Sequence, residues 1–220
     1  MNRDELDERP ASFAPRAVTL ASGVALCTVD SLAGGAWLGV NDAGLVVGLL
    51  NRTVAGDQVP AKPSRSRGQV VPAALAATSA DAALLLVAGL ATSGMAPFTL
   101  VACDAQATRI VAWTGRDLLN LPADVVRCSS GLGDARVDAA RRRAWAELTT
   151  PQITPAQQDA WHCNRGGDDG AAWVLMRRPG ARTVSRTIVT VDGVGIALDE
   201  VLLDAAGVGG RRTRVASARP

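Results

Sequence analysis

Tyrosine is absent from this 220-residue chain, and phenylalanine and tryptophan bring the aromatic content to only 3%. Proteins that bind RNA or single strands by base stacking need exposed aromatic side chains, so this scarcity argues against that class. Lysine is nearly absent too, since Lys62 is the single lysine and every other basic residue is an arginine. Acidic residues balance the arginines to a net charge of +2, so no nucleic-acid partner is predicted.

Long hydrophobic runs and paired cysteines are also missing. The most apolar region, residues 70–90, is interrupted by Pro72 and Asp81, and its longest clean run is about half of the roughly 20 residues that a spanning helix needs. We therefore predict a core helix there and no membrane span. No apolar signal segment follows Met1, and the four cysteines form no Cys-x-x-Cys pair, so a cytoplasmic protein with reduced thiols is expected.

Histidine occurs once, as His162, beside Cys163. Two such ligands leave a zinc site incomplete, so no metal site and no resident cofactor are predicted, and His162 is expected to be structural or exposed.

Three consecutive arginines, residues 141–143, point in three directions on a helix about 100° apart. A solvated helix face is therefore favoured there over an anion site. With 48% hydrophobic residues, the chain can bury one core, which indicates a single domain.

The chemistry of the chain concentrates in its first fifty residues. Asn2, Arg3, Asp4 and Glu5 place an amide, a guanidinium and two carboxylates side by side. Further on, an apolar segment, turn residues 41–44 and a second apolar run predict a β-hairpin whose last strand is buried on both faces. That strand ends in polar side chains that need partners, either as structural anchors or as a site; they are Asn51 and Arg52.

Elsewhere the patterns predict alternating hairpins and helices. Thr183, Ser185 and Thr187 fall on one face of a predicted strand, where they either line a pocket or pack against a neighbouring sheet. Trp113 is expected in the core, and Pro15 favours a loop. Helices are expected after Gly68, after Ser79, over 134–148 and after Thr154; hairpins over 97–114 and 183–198; and single strands over 124–129 and 172–176.

Several blocks in a fixed order resemble the NRDE family, whose eukaryotic members are called transport and Golgi organisation protein 2. They are Asn2 to Glu5, the Gly-Gly-x-Trp-Leu-Gly-Val-Asn block at 34–41, Leu50-Asn51-Arg52 and Ser66-Arg67-Gly68. The resemblance implies an α+β fold: a four-layer αββα sandwich of antiparallel sheets, of the N-terminal-nucleophile hydrolase type. It implies one domain over residues 1–206, and the Gly- and Arg-rich residues 207–220 are predicted to be disordered.

The family resemblance also implies site residues. Arg3 and Asp4 are expected beside a nucleophile, and Asn51 is expected to donate to an oxyanion. Arg52 is expected either to orient Asn51 or to bind an anionic group of the substrate. Ligand contacts are expected from Asn2, Glu5, Trp37, Ser129 and Ser185.

Two functions remain open at this point, both with a small-molecule ligand. One is hydrolysis of a small amide or acyl compound. The other is non-enzymatic binding or trafficking of an acyl lipid or of haem, carried as a transported ligand; an inactive, shortened paralogue belongs with it.

The start of the chain decides between them. In the family, the Asn-Arg-Asp-Glu block follows an apolar strand that begins Met-Cys, and that cysteine is the nucleophile. Here Met1 stands directly before Asn2, so the sequence as given predicts a fold that lacks its first strand. In an N-terminal nucleophile the α-amine takes the proton from the side chain of the same residue. Without that cysteine, the sequence as given is not expected to use this mechanism. Either the true start lies upstream, or this is a shortened member.

Overall fold

Two antiparallel β-sheets lie face to face in this computed structural model, which describes residues 1–90, 92–123, 126–148, 150 and 152–218. The first sheet has seven strands that follow the chain order from edge to edge. Each strand therefore pairs with the one before it; the long connection between β5 and β6 contains both helices that cover this sheet. They are β2 Phe13–Leu20, β3 Gly23–Val29, β4 Leu38–Asn41, β5 Val46–Asn51, β6 Phe98–Cys103, β7 Thr108–Trp113 and β8 Leu118–Leu121.

The second sheet has five strands: β1 Asn2–Leu6, β9 Arg177–Arg178, β10 Ala181–Val191, β11 Gly195–Leu203 and β12 Gly209–Ala218. Their order in the sheet is β1-β10-β11-β12, with β9 paired to β10. The prediction of a disordered tail is corrected here, because β12 runs antiparallel to β11 along its whole length. Arg212 and Arg214 on β12 reach Asp199 on β11 at 3.0 and 3.5 Å, and these contacts hold the strand in register.

The strand β2 corrects a second prediction, since Pro15 lies inside it and not in a loop. β2 is an edge strand of the seven-stranded sheet, and its register with β3 shifts between Phe13 and Arg16. Proline lacks a backbone N–H, and edge strands and bulges are the places in a sheet where that loss is tolerated. The predicted hairpins β4–β5, β6–β7 and β10–β11 are all confirmed.

Two helices, α1 Val70–Ala74 and α2 Ala80–Ala88, cover the outer face of the seven-stranded sheet. Ser79 caps α2 by accepting a hydrogen bond from the Ala82 amide at 3.2 Å, as the sequence predicted. The main core lies between these helices and the sheet, and Trp113 belongs to it as expected. The Trp113 indole N–H donates a hydrogen bond to the Met95 carbonyl oxygen. Among the described residues, no helix is both long and apolar enough to cross a bilayer.

A smaller apolar cluster joins the inner faces of the two sheets. Leu26 and Val40 from the first sheet meet Ile196 and Leu198 from the second, all at most 1% exposed. The hydroxyl stripe of Thr183, Ser185 and Thr187 is also buried, at 2% exposure or less. The stripe therefore lies within the packed interior of the protein.

Two further helices, α3 Asp134–Leu148 and α4 Pro155–His162, pack on each other around a cluster that includes Val126, Trp161 and Val174. α4 contacts β1 and β10, because Asn2 donates to the His162 carbonyl oxygen and Arg186 pairs with Asp159. The helices and sheets together make an α+β sandwich. Strands predicted over 172–176 and 126–129 are wrong, since both stretches are irregular; residues 124 and 125 lie outside the described part.

Candidate functional site

A cleft of about 680 Å³ opens beside β1. Its first wall is β1 itself. Its second wall is formed by Trp37, the end of β5, the 3₁₀ turn Arg67–Gln69 and Pro97. Its third wall combines the turn 127–131 with side chains from α3, α4 and the stretch before β10. The cleft therefore collects residues that are far apart in the chain, as binding sites usually do.

A closed network of four charges fixes one end of the cleft. Arg3 contacts Glu5 at 3.2 Å and Asp30 at 3.1 Å, and Arg9 contacts the same two carboxylates at 3.2 and 2.8 Å. The Arg3 guanidinium also stacks over the Trp37 ring at 4.6 Å. Burial alone would raise the pKa of Asp30, but the Ala33 amide, Arg9 and the Leu32 amide bring it below its usual value. The network ties β1 to the turn after β3.

Asp4 occupies the floor of the cleft, with 27% of its side chain exposed. Its carboxylate accepts a hydrogen bond from the Thr183 hydroxyl at 2.7 Å and lies 3.7 Å from Arg141. Burial raises the pKa of Asp4, and the Thr183 hydroxyl and Arg141 oppose that rise only in part. The folded protein therefore disfavours the charged form of Asp4, and perturbed carboxyl groups of this kind are common at functional sites.

We expect Asp4→Asn to stabilise the fold at neutral pH by about 0.5–2 kcal/mol, the usual gain from a stabilising substitution. The folded-state pKa of Asp4 is raised, so its cost is present above that pKa and disappears below the unfolded value near 3.9. The asparagine oxygen still accepts from Thr183. Urea unfolding at pH 7 and pH 3 checks this: the gain should be absent at pH 3, and a less stable variant at pH 7 would contradict the assignment.

Arg52 and Arg67, which line the cleft near the end of β5, differ in their hydrogen-bond and ion-pair partners. Arg52 pairs with Asp57 at 2.8 Å, so its charge is neutralised within the loop that follows. Arg67 donates to the Pro97 carbonyl oxygen at 2.8 Å and makes no ion pair with any described carboxylate. Burial lowers the pKa of Arg67. Asn51 lines the cleft beside them, and its side chain forms no hydrogen bond within the described part of the chain.

The third wall contains groups with little nucleophilic character. Cys128 is the cleft-lining thiol among the described residues, and burial raises its pKa to about 11. His162 lines the cleft with its Nδ1 atom buried and without a partner among the described residues. Burial, the nearby N-terminal charge and Arg186 lower the pKa of His162 to about 2, so the ring is neutral. No described group of three or more potential metal ligands is clustered.

Positive charge dominates the cleft. Among the described residues, seven arginines line it against three carboxylates, Asp4, Glu5 and Asp30. The apolar part of the lining includes Trp37, Leu50 and Pro97. A positive site with apolar walls suits an organic anion. The arginines are Arg3, Arg9, Arg52, Arg67, Arg127, Arg141 and Arg178.

Most of the residues predicted from the sequence meet in this cleft. Ser185 does not, because it is fully buried within β10 and lies outside the cleft lining. The expectation of a solvated face for residues 141–143 is wrong at Arg141, which is 6% exposed and lines the cleft. The predicted residues that line it are Asn2, Arg3, Asp4, Glu5, Trp37, Asn51, Arg52 and Ser129.

Sequence reasoning missed several cleft residues. Arg141 could have been found from helical spacing, because it follows the buried Val137 by four positions on α3. Arg67 stood in a recognised block but received no role. Asp30 and Arg178 carried no local signal, since their positions depend on strand pairing between distant segments.

The fold and cleft define a class: an α+β sandwich of two antiparallel sheets with an arginine-lined cleft beside an edge strand. A family model described as "Transport and Golgi organisation 2" matches residues 1–146 of the 220. The chain belongs to that family, and the resemblance predicted from the sequence is confirmed. No curated protein matches the chain. The N-terminal-nucleophile type of the fold stays a prediction.

Proposed function

We propose that this protein binds a small organic anion with an apolar body in the arginine-lined cleft. The observation that carries the proposal is the excess of arginines over carboxylates around one concave surface whose lining also has an apolar part, including Trp37, Leu50 and Pro97. Arginine is suited to carboxylate and phosphate groups because its planar fork donates in pairs. An acyl chain with an acidic head meets this description, and so does haem, whose macrocycle carries two propionates.

Hydrolysis of a small amide or acyl compound is the second candidate. It is supported by the meeting of Arg3, Asp4 and Asn51 in one cleft, since an amide donor is the group that stabilises a tetrahedral oxyanion. Binding is favoured because Cys128, with its raised pKa, is a protonated thiol at neutral pH, and a thiol is a poor nucleophile.

Two probes test the binding proposal, dansyl-undecanoic acid by fluorescence titration and haemin by its absorption spectrum. We expect saturable binding of at least one. Leu50→Trp, which places an indole ring in the cleft, should weaken that binding by about tenfold or more. Leu119→Trp is the matched control, since Leu119 is 45% exposed on β8 and outside the cleft lining.

The same samples discriminate between the candidates. Equal affinity in both tryptophan variants would place the probes elsewhere on the protein and contradict the proposal. Release of p-nitrophenol from p-nitrophenyl butyrate by the wild type, abolished in Asn51→Ala without loss of probe binding, would select the hydrolase.

A further inference from the structure

Among the described residues of the cleft, Arg67 combines a guanidinium that makes no ion pair with a backbone that is held by close packing. Arg3 and Arg9 share two carboxylates, and Arg52 has Asp57. Arg141 donates to the carbonyl oxygens of Ala171, Ala172 and Ser129. These guanidinium groups are already occupied by structural partners.

The remaining cleft arginines are Arg67, Arg127 and Arg178. Arg178 lies near Asp4 and lowers the pKa of that carboxyl, so its charge is balanced in part. Arg127 donates to the Pro122 carbonyl oxygen from an irregular stretch. All three are half-buried. Arg67 uses one of its five N–H donors within the described part of the chain, on the Pro97 carbonyl oxygen. It differs from Arg127 and Arg178 in the close packing of its backbone and in its place beside Asn51.

Backbone packing holds Arg67 in place. Gly68 lies directly against Gly35, and a Cβ atom on Gly35 would stand 2.4 Å from the Gly68 Cα atom. The Ala36 amide donates to the Gly68 carbonyl oxygen at 3.0 Å, and the Ser66 hydroxyl accepts from the Gly68 amide at 3.1 Å. A side chain anchored in this way loses little freedom when it binds a ligand.

Arg67 also stands next to Asn51. The Pro97 carbonyl oxygen accepts from the Arg67 side chain at 2.8 Å and from the Arg52 backbone amide at 3.3 Å, so the guanidinium is brought to the residue that follows Asn51. An amide and a guanidinium with unused donors therefore face the same end of the cleft.

The geometry points to an oxyanion subsite in which Arg67, assisted by Asn51, holds the acidic group of the bound ligand, while Arg52 is a structural residue. This inference rests on the proposed function and adds to it the place and chemistry of the ligand's head group. A carboxylate or a phosphate ester satisfies it, since each offers two oxygens to the guanidinium fork. The partial burial of Arg67 removes competing water and strengthens the pair.

The test compares dansyl-undecanoic acid with its methyl ester, which has the same body and no charge. We expect the wild type to prefer the acid, and Arg67→Met to weaken acid binding by about tenfold to 100-fold while ester binding stays within about twofold. Arg67→Lys should recover most of the acid affinity because it restores the charge. Arg143→Met is the matched control, since Arg143 is exposed on α3 and outside the cleft lining.

Competition separates the two sources of oxyanion. If dodecyl phosphate displaces the dansyl acid from the wild type but not from Arg67→Met, the head group is assigned as a phosphate. If dodecyl phosphate does not displace the dansyl acid from the wild type, the head group is assigned as a carboxylate. Equal acid affinity in wild type and Arg67→Met overturns the subsite. If Arg67→Met does not fold, equal affinity of the wild type for acid and ester overturns it equally. A wild type that binds neither dansyl-undecanoic acid nor haemin rejects the proposed function itself.

Discussion

Asp30→Ala should lower the free energy of unfolding by about 3–5 kcal/mol, the usual cost of removing one partner from a buried ion pair. Only 13% of the Asp30 side chain and 9% of the Arg3 side chain are exposed. After the substitution, Arg3 and Arg9 would share Glu5 alone, and the amides of Leu32 and Ala33 would lose their acceptor. For a protein of this size the midpoint of thermal unfolding should fall by roughly 10 °C.

The pH dependence separates this network from a generic packing defect. The pKa of Asp30 is lowered in the folded state, so its stabilisation is complete above the unfolded pKa and is lost as pH falls through the folded value. The difference between wild type and Asp30→Ala should therefore shrink in acid. Asp117→Ala, at a carboxylate that is 64% exposed, is the control and should change little. A difference that is constant down to pH 2 would contradict the role of the charge.

Asn41→Asp should be equally damaging although it changes one atom. Asn41 is 3% exposed, and its amide nitrogen donates to the carbonyl oxygens of Leu75 and Ala77 at 2.8 and 2.6 Å. A carboxylate there would face two carbonyl oxygens with no proton to offer. We expect a loss of about 3–5 kcal/mol, because two buried acceptors lose their donor and a charge is buried without a partner.

Thermal unfolding of Asn41→Asp across pH checks this explanation. Burial should raise the pKa of the introduced carboxyl, so its cost is present above that pKa and falls as the group gains a proton in acid. Asn120→Asp, at an exposed position on β8, is the matched control. A loss of stability that does not diminish in acid would show that shape, and not the missing donors, holds the end of α1.

Asn41 and Asp30 show how far local sequence patterns predict the contacts of a side chain. The turn at 41–44 is predictable, because Asn-Asp-Ala-Gly is a local signal that acts within four residues; Asn41 ends β4 and accepts from the Gly44 amide across this turn. Its bonds to the carbonyl oxygens of Leu75 and Ala77 cross more than thirty residues, and no local pattern encodes them. The same holds for the ion pairs of Asp30, which join it to Arg3 on β1 and to Arg9 just after β1.

The sequence by itself determined the hairpins, the cap of α2, the family and the presence of Asn51 at a strand end in the site. These follow from turn residues, alternation and short spacings, which act over a few residues. Only the tertiary structure decided that residues 209–218 pair with β11 and that Arg141 faces the cleft. It also decided that Arg52 is neutralised while Arg67 is not. The physical reason is that a charged side chain takes its role from the partners folding brings to it, and arginines are identical until those partners are known.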